Sequence, residues 1–334
     1  MSQNAKPRVV VVDWARQPIG DPELVVEASG IGGAASVDYV LCESDADFTE
    51  SVLNAHALIV WHNIPIRAAG IQRLKHCRAI IRNGVGYDSV DLDAARAQKI
   101  PVCNVPDYGT EEVADHAMAL ALAHCRQLFP LDAEAKKLGW HIRVGDKIRR
   151  IRDRTFGILG LGRIGIATAL RAKAFGFRVA FFDPYVSNGF DKALGIDQIE
   201  SLEELMRLSD VLSIHAPLTS ETRHMITSRE LAWLKPSAFV INTARGAVIK
   251  KDDILAALRE GRIAGAGLDV VEDEPLKTAQ EASTPNLIVT CHAAFCSVES
   301  KLEMRATSAR IARAAVLGEK LENVVNAVPS PTAC

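Results

Sequence analysis

The sequence predicts an α/β protein with two doubly wound parallel sheets. Short apolar runs rich in β-branched residues alternate with helical stretches over 8–106, and the alternation restarts after residue 155. Apolar runs without polar alternation are typical of parallel strands that are covered on both faces. A chain of 334 residues, of which 48% are hydrophobic, is long enough to bury two such cores.

The first half supplies five predicted strands and then a long helix. The strands lie in RVVVVDW, VDYVLCES, ALIVWHN, AIIRNGVG and IPVCNVP, and stretches such as AAGIQRLKHC and LDAARAQK separate several of them. One helix is predicted over 110–129, because Thr110 can cap it, Glu111 and Glu112 suit its first turn, and no Gly or Pro interrupts it. Its Ala and Leu content predicts a buried helix or one that packs on a partner subunit.

The second half repeats the alternation of predicted strands and helices. Its predicted strands lie in TFGIL, RVAFFD, VLSIHA, AFVINTA, GAGLDVV and NLIVTCH, and its last helix in KLEMRATSARIARAAVLG. No short repeat, low-complexity tract or long flexible linker divides the two halves.

Charge and composition exclude several function classes. The chain has 39 basic and 41 acidic residues, a balance that argues against a nucleic-acid or polyanion partner. The basic run over 136–154 contains one aromatic residue, and we interpret it as a solvated connecting segment. No run of 18 apolar residues is present, so no membrane partner is expected.

The cysteines and the first residues bear on location. Seven cysteines at irregular spacings do not form a disulfide framework, and the N-terminal apolar run is too short for a signal-peptide core. The expected location is a reducing cytoplasm.

The strongest motif is a glycine-rich turn, TFGILGLGRIGIA, that follows a predicted strand and opens a predicted helix. Gly160, Gly162 and Gly165 form G-x-G-x-x-G in the context that dinucleotide binding requires. The first glycine permits a tight turn, the second lets the backbone approach a pyrophosphate, and the third allows close packing of helix and strand. A glycine turn without a ligand is the alternative, but the helix N-terminus favours an anion.

An acid at the end of the next strand selects the cofactor. Asp183 stands 18 residues after Gly165. A carboxylate there can accept hydrogen bonds from ribose hydroxyls and would repel a 2′-phosphate, so the sequence predicts NAD rather than NADP.

Three polar residues at or beyond later strand ends suit one reaction. Arg245 follows VINTA, Glu274 follows GLDVVED, and His292 follows LIVTC. Ligands of doubly wound sheets bind outside the carboxyl ends of strands, so the three can meet. Arginine can hold a carboxylate bidentately, and histidine backed by an acid can exchange a proton, as reduction of a 2-oxo acid requires.

Each of the three also has a structural alternative: a surface ion pair for the arginine, a loop acid for the glutamate and a core histidine. Cys291 and Cys296 flank His292 and raise a metal or redox alternative. Neighbouring residues on a strand point to opposite faces, and no converging set of three or four ligands is evident, so no metal is predicted.

At these residues the chain resembles the NAD-dependent D-2-hydroxyacid dehydrogenase family along nearly its whole length. GILGLGRIG, INTARGAVI, GAGLDVVEDEP and HAAF match that family's main blocks in order, and RNGVGYDSVDLDAA matches a block of its substrate domain. RAKAFGFRVAFFDPYVSNGFDKALGI and VCNVPDYGTEEVADHA are most similar to the C-terminal binding protein branch.

The resemblance implies a Rossmann NAD domain inserted into a flavodoxin-like substrate domain. The substrate domain would comprise 1–107 and 300–334, and the NAD domain 108–299, with a homodimer built through the NAD domain. The resemblance implies Arg245 as substrate anchor, Glu274 as partner acid and His292 as general acid/base. The implied cofactor contacts are Gly160, Gly162, Arg163, Ile164, Gly165, Asp183, Ala216, Thr243, Ala244 and Asp269, and the implied substrate contacts are Trp61, Arg82, Val85, Gly86 and Phe295.

The expected function is NAD-linked interconversion of a D-2-hydroxy acid and its 2-oxo acid. One alternative is an NAD-regulated, corepressor-like interaction protein, as the C-terminal binding protein branch allows. Another is an enzyme of the phosphoglycerate dehydrogenase type.

Overall fold

The chain divides into two compact units, and the structure, a computed structural model, describes residues 6–61 and 64–330. The discontinuous unit comprises Met1–Tyr108 and Ser297–Cys334, and the central unit comprises Gly109–Cys296. The predicted domain boundaries, and the roles given to the two domains, stay predictions.

The discontinuous unit begins with alternating strands and short helices. The strands are β1 (Arg8–Trp14), β2 (Ser36–Cys42), β3 (Ala57–Val60), β4 (Ile80–Arg82) and β5 (Val102–Cys103). The helices between them are α1 (Val25–Ile31), α2 (Glu50–Leu53), α3 (Ala68–Ile71) and α4 (Leu92–Ala97). The pairings among these five strands are parallel, in the order β2-β1-β3-β4-β5, which is the flavodoxin-like order. Val9 to Val12 of β1 are all buried, as a strand covered on both faces must be.

The central unit holds a larger sheet. Its helices are α5 (Thr110–Cys125), α6 (Leu128–Lys136), α7 (Arg163–Ala174), α8 (Phe190–Leu194), α9 (Leu202–Leu208), α10 (Ser228–Leu231), α11 (Lys251–Arg259) and α12 (Ala279–Ala282). Its strands are β6 (Thr155–Leu159), β7 (Arg178–Phe182), β8 (Asp197–Gln198), β9 (Val211–Ile214), β10 (Phe239–Asn242), β11 (Gly265–Leu268) and β12 (Leu287–Val289). All these strands are parallel, in the order β12-β11-β10-β9-β6-β7-β8. The strands that follow β6 in the sequence lie on both sides of it, as in a dinucleotide-binding fold. The predicted fold class is confirmed.

Alternate residues of the central strands face two different cores. On β10, Phe239 and Ile241 pack with α5 and α7 residues, whereas Val240 packs with the helices of the opposite face. Both cores are buried, which explains why these strands read as continuous apolar runs.

The single helix predicted over 110–129 is wrong in its length. α5 ends at Cys125, and Gln127 adopts a left-handed conformation with φ of 52° before α6 starts at Leu128. The sequence contains no Gly or Pro here, so local propensity gave no sign of the break.

The basic run over 136–154 forms the end of α6 and two 3-10 turns, Ile142–Lys147 and Ile151–Asp153. Most of its described basic side chains are exposed, and so are the apolar side chains of Leu138, Trp140 and Ile142. Arg154 is half-buried, and its Nη1 donates to Cys125 Sγ at 3.2 Å.

The last helix, α13 (Val298–Leu317), returns the chain to the discontinuous unit and packs on α1. Ser297 caps its first turn. Arg305 on α13 makes two 2.7 Å bonds to the buried carboxylate of Glu27 on α1. A buried charge is stable only when it is paired in this way, so the pair fixes how the two helices align.

Candidate active site

The glycine-rich turn lies at the point where the central sheet reverses its order. Gly160 follows β6 with φ of 91°, and a Cβ there would lie 2.8 Å from the backbone nitrogen of Ala216. A Cβ on Gly165 would lie 2.2 Å from the carbonyl oxygen of Gly160. Both positions therefore exclude any larger residue, and this allows α7 to start directly over the end of β6.

The turn leaves room for a ligand at the start of α7. Gly162 is the N-cap residue of the helix, and a Cβ placed on it would meet nothing within 4 Å. Glycine has no side chain to cap the first N–H groups, so these groups and the positive end of the helix dipole suit a pyrophosphate. Arg163 and Ile164 form the first turn of the same helix.

Asp183 is fixed in place at the carboxyl end of β7. Its Oδ2 accepts from the backbone N–H of Leu161 at 2.8 Å, and its Oδ1 accepts from that of Tyr185 at 2.9 Å. A carboxylate has about four acceptor sites, so lone pairs remain for ribose hydroxyls. The bond to Leu161 joins the acid directly to the glycine-rich turn.

Other predicted cofactor residues also stand just beyond strand ends of this sheet. Ala216 follows β9, and Thr243 and Ala244 follow β10. Within the described residues, the Thr243 hydroxyl is buried and has no hydrogen-bond partner. Buried polar atoms are nearly always satisfied, so an unsatisfied one at the carboxyl end of β10 fits a site completed by a bound group.

Two side-chain hydrogen bonds of Asn242, here called the Asn242 brace, hold the backbone of Arg245, and the sequence did not predict them. Buried Asn242, the last residue of β10, donates to the carbonyl oxygen of Arg245 at 2.9 Å and accepts from the N–H of Ala244 at 3.0 Å. Arg245 Nη1 in turn donates to the Ala244 carbonyl oxygen at 2.7 Å. A polar residue ending a buried strand was the only available signal of this brace.

His292 and Glu274 are in direct contact. The imidazole Nδ1 lies 3.0 Å from the carboxylate Oε2, and the two side chains are 21% and 34% exposed. A carboxylate only accepts, so Nδ1 must be the donor, and Nε2 is the nitrogen that can exchange a proton with a ligand. His292 has φ of 53°, in the left-handed region that is costly for a residue other than glycine.

Asp269 holds the turn that carries His292. Its carbonyl oxygen accepts from the N–H of His292 at 2.8 Å, and its buried carboxylate accepts from those of Ala293 and Ala294 at 2.9 and 3.0 Å. Thr290 also donates to this carboxylate, and His116 lies 3.0 Å from the Thr290 hydroxyl. The cofactor contact predicted for Asp269 stays a prediction, whereas its support of the His292 turn was not foreseen.

Two other histidines of the central unit do not suit acid chemistry. Burial lowers the pKa of His215 to about 3. Burial, followed by the nearby Arg154, lowers the pKa of His124 to about 4. Both are therefore neutral near pH 7.

The central unit thus brings the three predicted catalytic residues to one edge of one sheet. Arg245 follows β10, Glu274 follows β11 and His292 follows β12, and these strands are neighbours. Phe295 is also in this unit, with its ring edge-on to the ring of His292 at 6.4 Å between centroids.

The remaining predicted substrate contacts belong to the discontinuous unit. Trp61 follows β3 and is 2% exposed, and Arg82 ends β4 and is 5% exposed. Arg82 Nη1 donates to the carbonyl oxygen of Asn83, and Asn104 donates to that of Val85 at 2.7 Å. Gly86 is half-buried in the same turn. Their substrate roles stay predictions.

Among residues 6–61 and 64–330, no group of three or more His, Cys, Asp or Glu residues is arranged to hold a metal ion. Within the same residues, no helix has the length and apolar character needed to cross a membrane.

Comparison with known proteins identifies the family. The model for the NAD-binding domain of the D-isomer specific 2-hydroxyacid dehydrogenases matches residues 118–294. Glyoxylate reductase of Korarchaeum cryptofilum is 37% identical over 284 residues, which are 83% of this chain and 84% of that protein. C-terminal-binding protein 1 of Caenorhabditis elegans is 32% identical over 323 residues, but these 91% of this chain correspond to only 43% of its length.

A solved structure supports the same family assignment. D-lactate dehydrogenase from Aquifex aeolicus, in complex with NAD and lactic acid, superposes with a TM-score of 0.82 at 28% identity. The superposition covers 93% of this chain and 96% of that one. The predicted resemblance is confirmed: the chain belongs to the D-isomer specific 2-hydroxyacid dehydrogenases, NAD-dependent oxidoreductases that interconvert 2-hydroxy acids and 2-oxo acids.

Proposed function

We propose that this protein reduces a small 2-oxo acid to the D-2-hydroxy acid, with His292 as general acid, Glu274 as its partner and Arg245 as the carboxylate anchor. The observation that carries the proposal is the 3.0 Å contact of His292 with Glu274, on the sheet edge that also carries Arg245 and the glycine-rich turn. Bound NADH supplies the hydride.

Side chains of the protein bind the substrate and transfer the proton. The Arg245 guanidinium binds the substrate carboxylate through two parallel N–H donors and so orients the carbonyl carbon. His292 Nε2 donates a proton to the carbonyl oxygen as negative charge develops on it. Glu274 accepts from Nδ1 and stabilises the imidazolium that must be present before the transfer. In oxidation the same histidine takes the proton back.

We assign the substrate contacts to five further residues. Trp61, Arg82, Val85, Gly86 and Phe295 are proposed to contact the substrate. The glyoxylate reductase and D-lactate dehydrogenase relatives support a small acid.

A panel of 2-oxo acids tests the function. Purified protein with NADH is mixed with glyoxylate, pyruvate, hydroxypyruvate, 2-oxobutyrate, phenylpyruvate or 3-phosphohydroxypyruvate, and loss of nicotinamide absorbance is followed. Turnover of one of the small acids is expected. Exclusive turnover of the phosphorylated acid would instead support the phosphoglycerate dehydrogenase type.

The similarity to C-terminal-binding protein 1 favours a second candidate, an NAD-regulated interaction protein. Arg245, Glu274 and His292 are all present, and an interaction protein does not need them. If no acid on the panel is reduced while NADH binds tightly and changes the oligomeric state, this second candidate is preferred.

NADH is expected to be used at least roughly tenfold better than NADPH, measured as kcat/KM. Asp183, held by Leu161 and Tyr185, would repel the 2′-phosphate. Asp183→Ala should narrow the gap, whereas Asp191→Ala on α8 is the matched control and should leave it unchanged. Equal use of both cofactors by the wild type contradicts this role for Asp183.

We propose that the protein is a homodimer through the central unit. Exposed apolar side chains are concentrated on and just after α6, where Leu138, Trp140 and Ile142 are 97%, 88% and 84% exposed. Surface of this kind normally marks an interaction site. Trp140→Asp combined with Ile142→Asp should shift the mass measured by light scattering from dimer to monomer. Val25→Asp, at an exposed site of the other unit, should not change the mass.

We also propose a cytoplasmic location. The six cysteines that the structure describes are free thiols, as a reducing compartment maintains them. Burial raises the pKa of Cys42 to about 11 and that of Cys103 to about 12, which keeps them unreactive. Cell fractionation with an antibody against the native protein would test the location.

A further inference from the structure

A second histidine–glutamate pair lies beside the proposed catalytic pair. His224 Nε2 is 2.6 Å from Glu272 Oε1, and the side chains are 38% and 20% exposed. Glu272 stands two residues before Glu274 on the loop that follows β11. The proposed reaction gives this pair no role, although it contacts the same loop.

The backbone of His224 is bound to a different loop. Its N–H donates to the carbonyl oxygen of Ala247 at 2.8 Å, and the N–H of Ile226 donates to that of Val248 at 3.1 Å. Both acceptors are in the 3-10 turn Gly246–Val248, which begins directly after Arg245. His224 therefore bonds the Arg245 loop with its main chain and the Glu274 loop with its side chain.

These two loops are packed without any gap at Gly246. A Cβ on Gly246 would lie 2.0 Å from the backbone carbon of Val271 and 2.4 Å from the nitrogen of Glu272. The turn after Arg245 and the peptide before Glu272 thus touch through their backbones. His224 is hydrogen-bonded to both of these loops.

The backbone of His224 has an unfavourable conformation. Its φ is 52°, in the left-handed region that costs a residue of this kind free energy. Surrounding contacts must hold the residue there, and the bonds to Ala247 and Glu272 are such contacts. An ordinary surface ion pair would need no strained backbone.

We infer that His224 is a positioning residue, which through Glu272 fixes the Arg245 loop relative to the loop of Glu274 and so aligns the carboxylate anchor with the proton-transfer pair. The inference rests on the proposed function of Arg245, Glu274 and His292. Misplacement of reacting groups by about 1 Å can cost up to roughly 10²-fold in rate, so a small shift between these loops would be measurable.

Variants of the pair test the inference. His224→Leu removes the donor, whereas His224→Gln keeps an N–H donor at a similar distance along the side chain. We expect His224→Leu to lower kcat/KM for the best 2-oxo acid by roughly tenfold with the Kd of NADH unchanged. His224→Gln should recover most of the loss.

A double-mutant cycle asks whether His224 acts through Glu272. Glu272→Ala should reproduce the loss of His224→Leu, and the double variant should be no worse than either single one. Arg207→Leu, which removes the Arg207–Glu203 ion pair on α9, is the matched control and should leave the kinetics unchanged.

Several outcomes would overturn the inference. Wild-type kinetics in His224→Leu would do so, as would losses that add in the double variant. A loss that His224→Gln fails to recover although its thermal stability matches that of the wild type would also contradict it.

Failure of the proposed function is distinguished by a binding assay that needs no turnover. If the wild type reduces no 2-oxo acid, oxamate binding to the enzyme–NADH complex is followed by nicotinamide fluorescence in the same variants. Weaker oxamate binding in His224→Leu, recovered in His224→Gln, would support positioning of Arg245 even without catalysis. Equal binding in all variants, or no oxamate binding by the wild type, would overturn the inference.

Discussion

His292→Ala is expected to lower kcat for 2-oxo acid reduction by roughly 10²- to 10⁴-fold, the usual contribution of a positioned general acid. Alanine removes the Nε2 donor and leaves Glu274 without its contact 3.0 Å away. The Kd of NADH, measured by fluorescence, should stay near the wild-type value because the glycine-rich turn is unchanged. A rate within tenfold of wild type would show that His292 is not the acid.

The neighbouring cysteines provide the matched controls for this change. Cys291 and Cys296 flank the histidine, and both are exposed. Cys291→Ser and Cys296→Ser should each be almost silent, and EDTA should have no effect on the rate. Loss of activity on chelation, or in the serine variants, would support the metal or redox interpretation of this segment.

Glu274→Gln separates the partner acid from the histidine. The amide keeps the size of the carboxylate but loses the charge that stabilises the imidazolium. We expect kcat for reduction to fall by at least roughly tenfold, because the positioned acid loses its charged partner 3.0 Å away. The Kd of NADH should stay near the wild-type value. A kcat equal to that of wild type would exclude a functional pair.

The features that the sequence predicted correctly are those encoded over short distances. The glycine-rich turn needs three glycines between a strand and a helix, and Gly160 and Gly165 are indeed positions where a Cβ would collide. The apolar strands were recognisable because both faces of each sheet are buried. In such cases the chemical reason for a residue lies within a few positions of it.

Features that depend on distant partners were missed. The break after α5 occurs at Gln127, whose left-handed conformation is not predicted by any neighbouring residue. Strand β8 was not predicted, and it is only two residues long. Asp269 was predicted from the family resemblance as a cofactor contact, but its hydrogen bonds go to a turn 24 and 25 residues further on. The Asn242 brace and the His224–Glu272 pair likewise join loops from different strands, which spacing alone does not reveal.

Arg245→Lys is expected to raise KM for the 2-oxo acid and lower kcat, with a loss in kcat/KM of roughly 10²-fold, as for one partner of a charge-assisted bidentate pair. Lysine keeps the positive charge but has a point-like ammonium in place of the planar guanidinium fork. The Asn242 brace acts on the backbone of residue 245 and should survive the substitution. The side chain alone is therefore tested.

The readouts for Arg245→Lys must separate loss of the anchor from general damage. The Kd of NADH and the melting temperature should stay close to wild type, because the bonds that Asn242 makes to residues 244 and 245 involve main-chain atoms only. Arg259→Lys on α11 is the matched control, since Arg259 is exposed and its guanidinium bonds Thr284, which has no role in the proposed reaction. If KM and kcat of Arg245→Lys both equal those of wild type, a point charge suffices and Arg245 is not the bidentate anchor. If the Kd of NADH rises in step with KM, the arginine acts through the cofactor site and is not the carboxylate anchor.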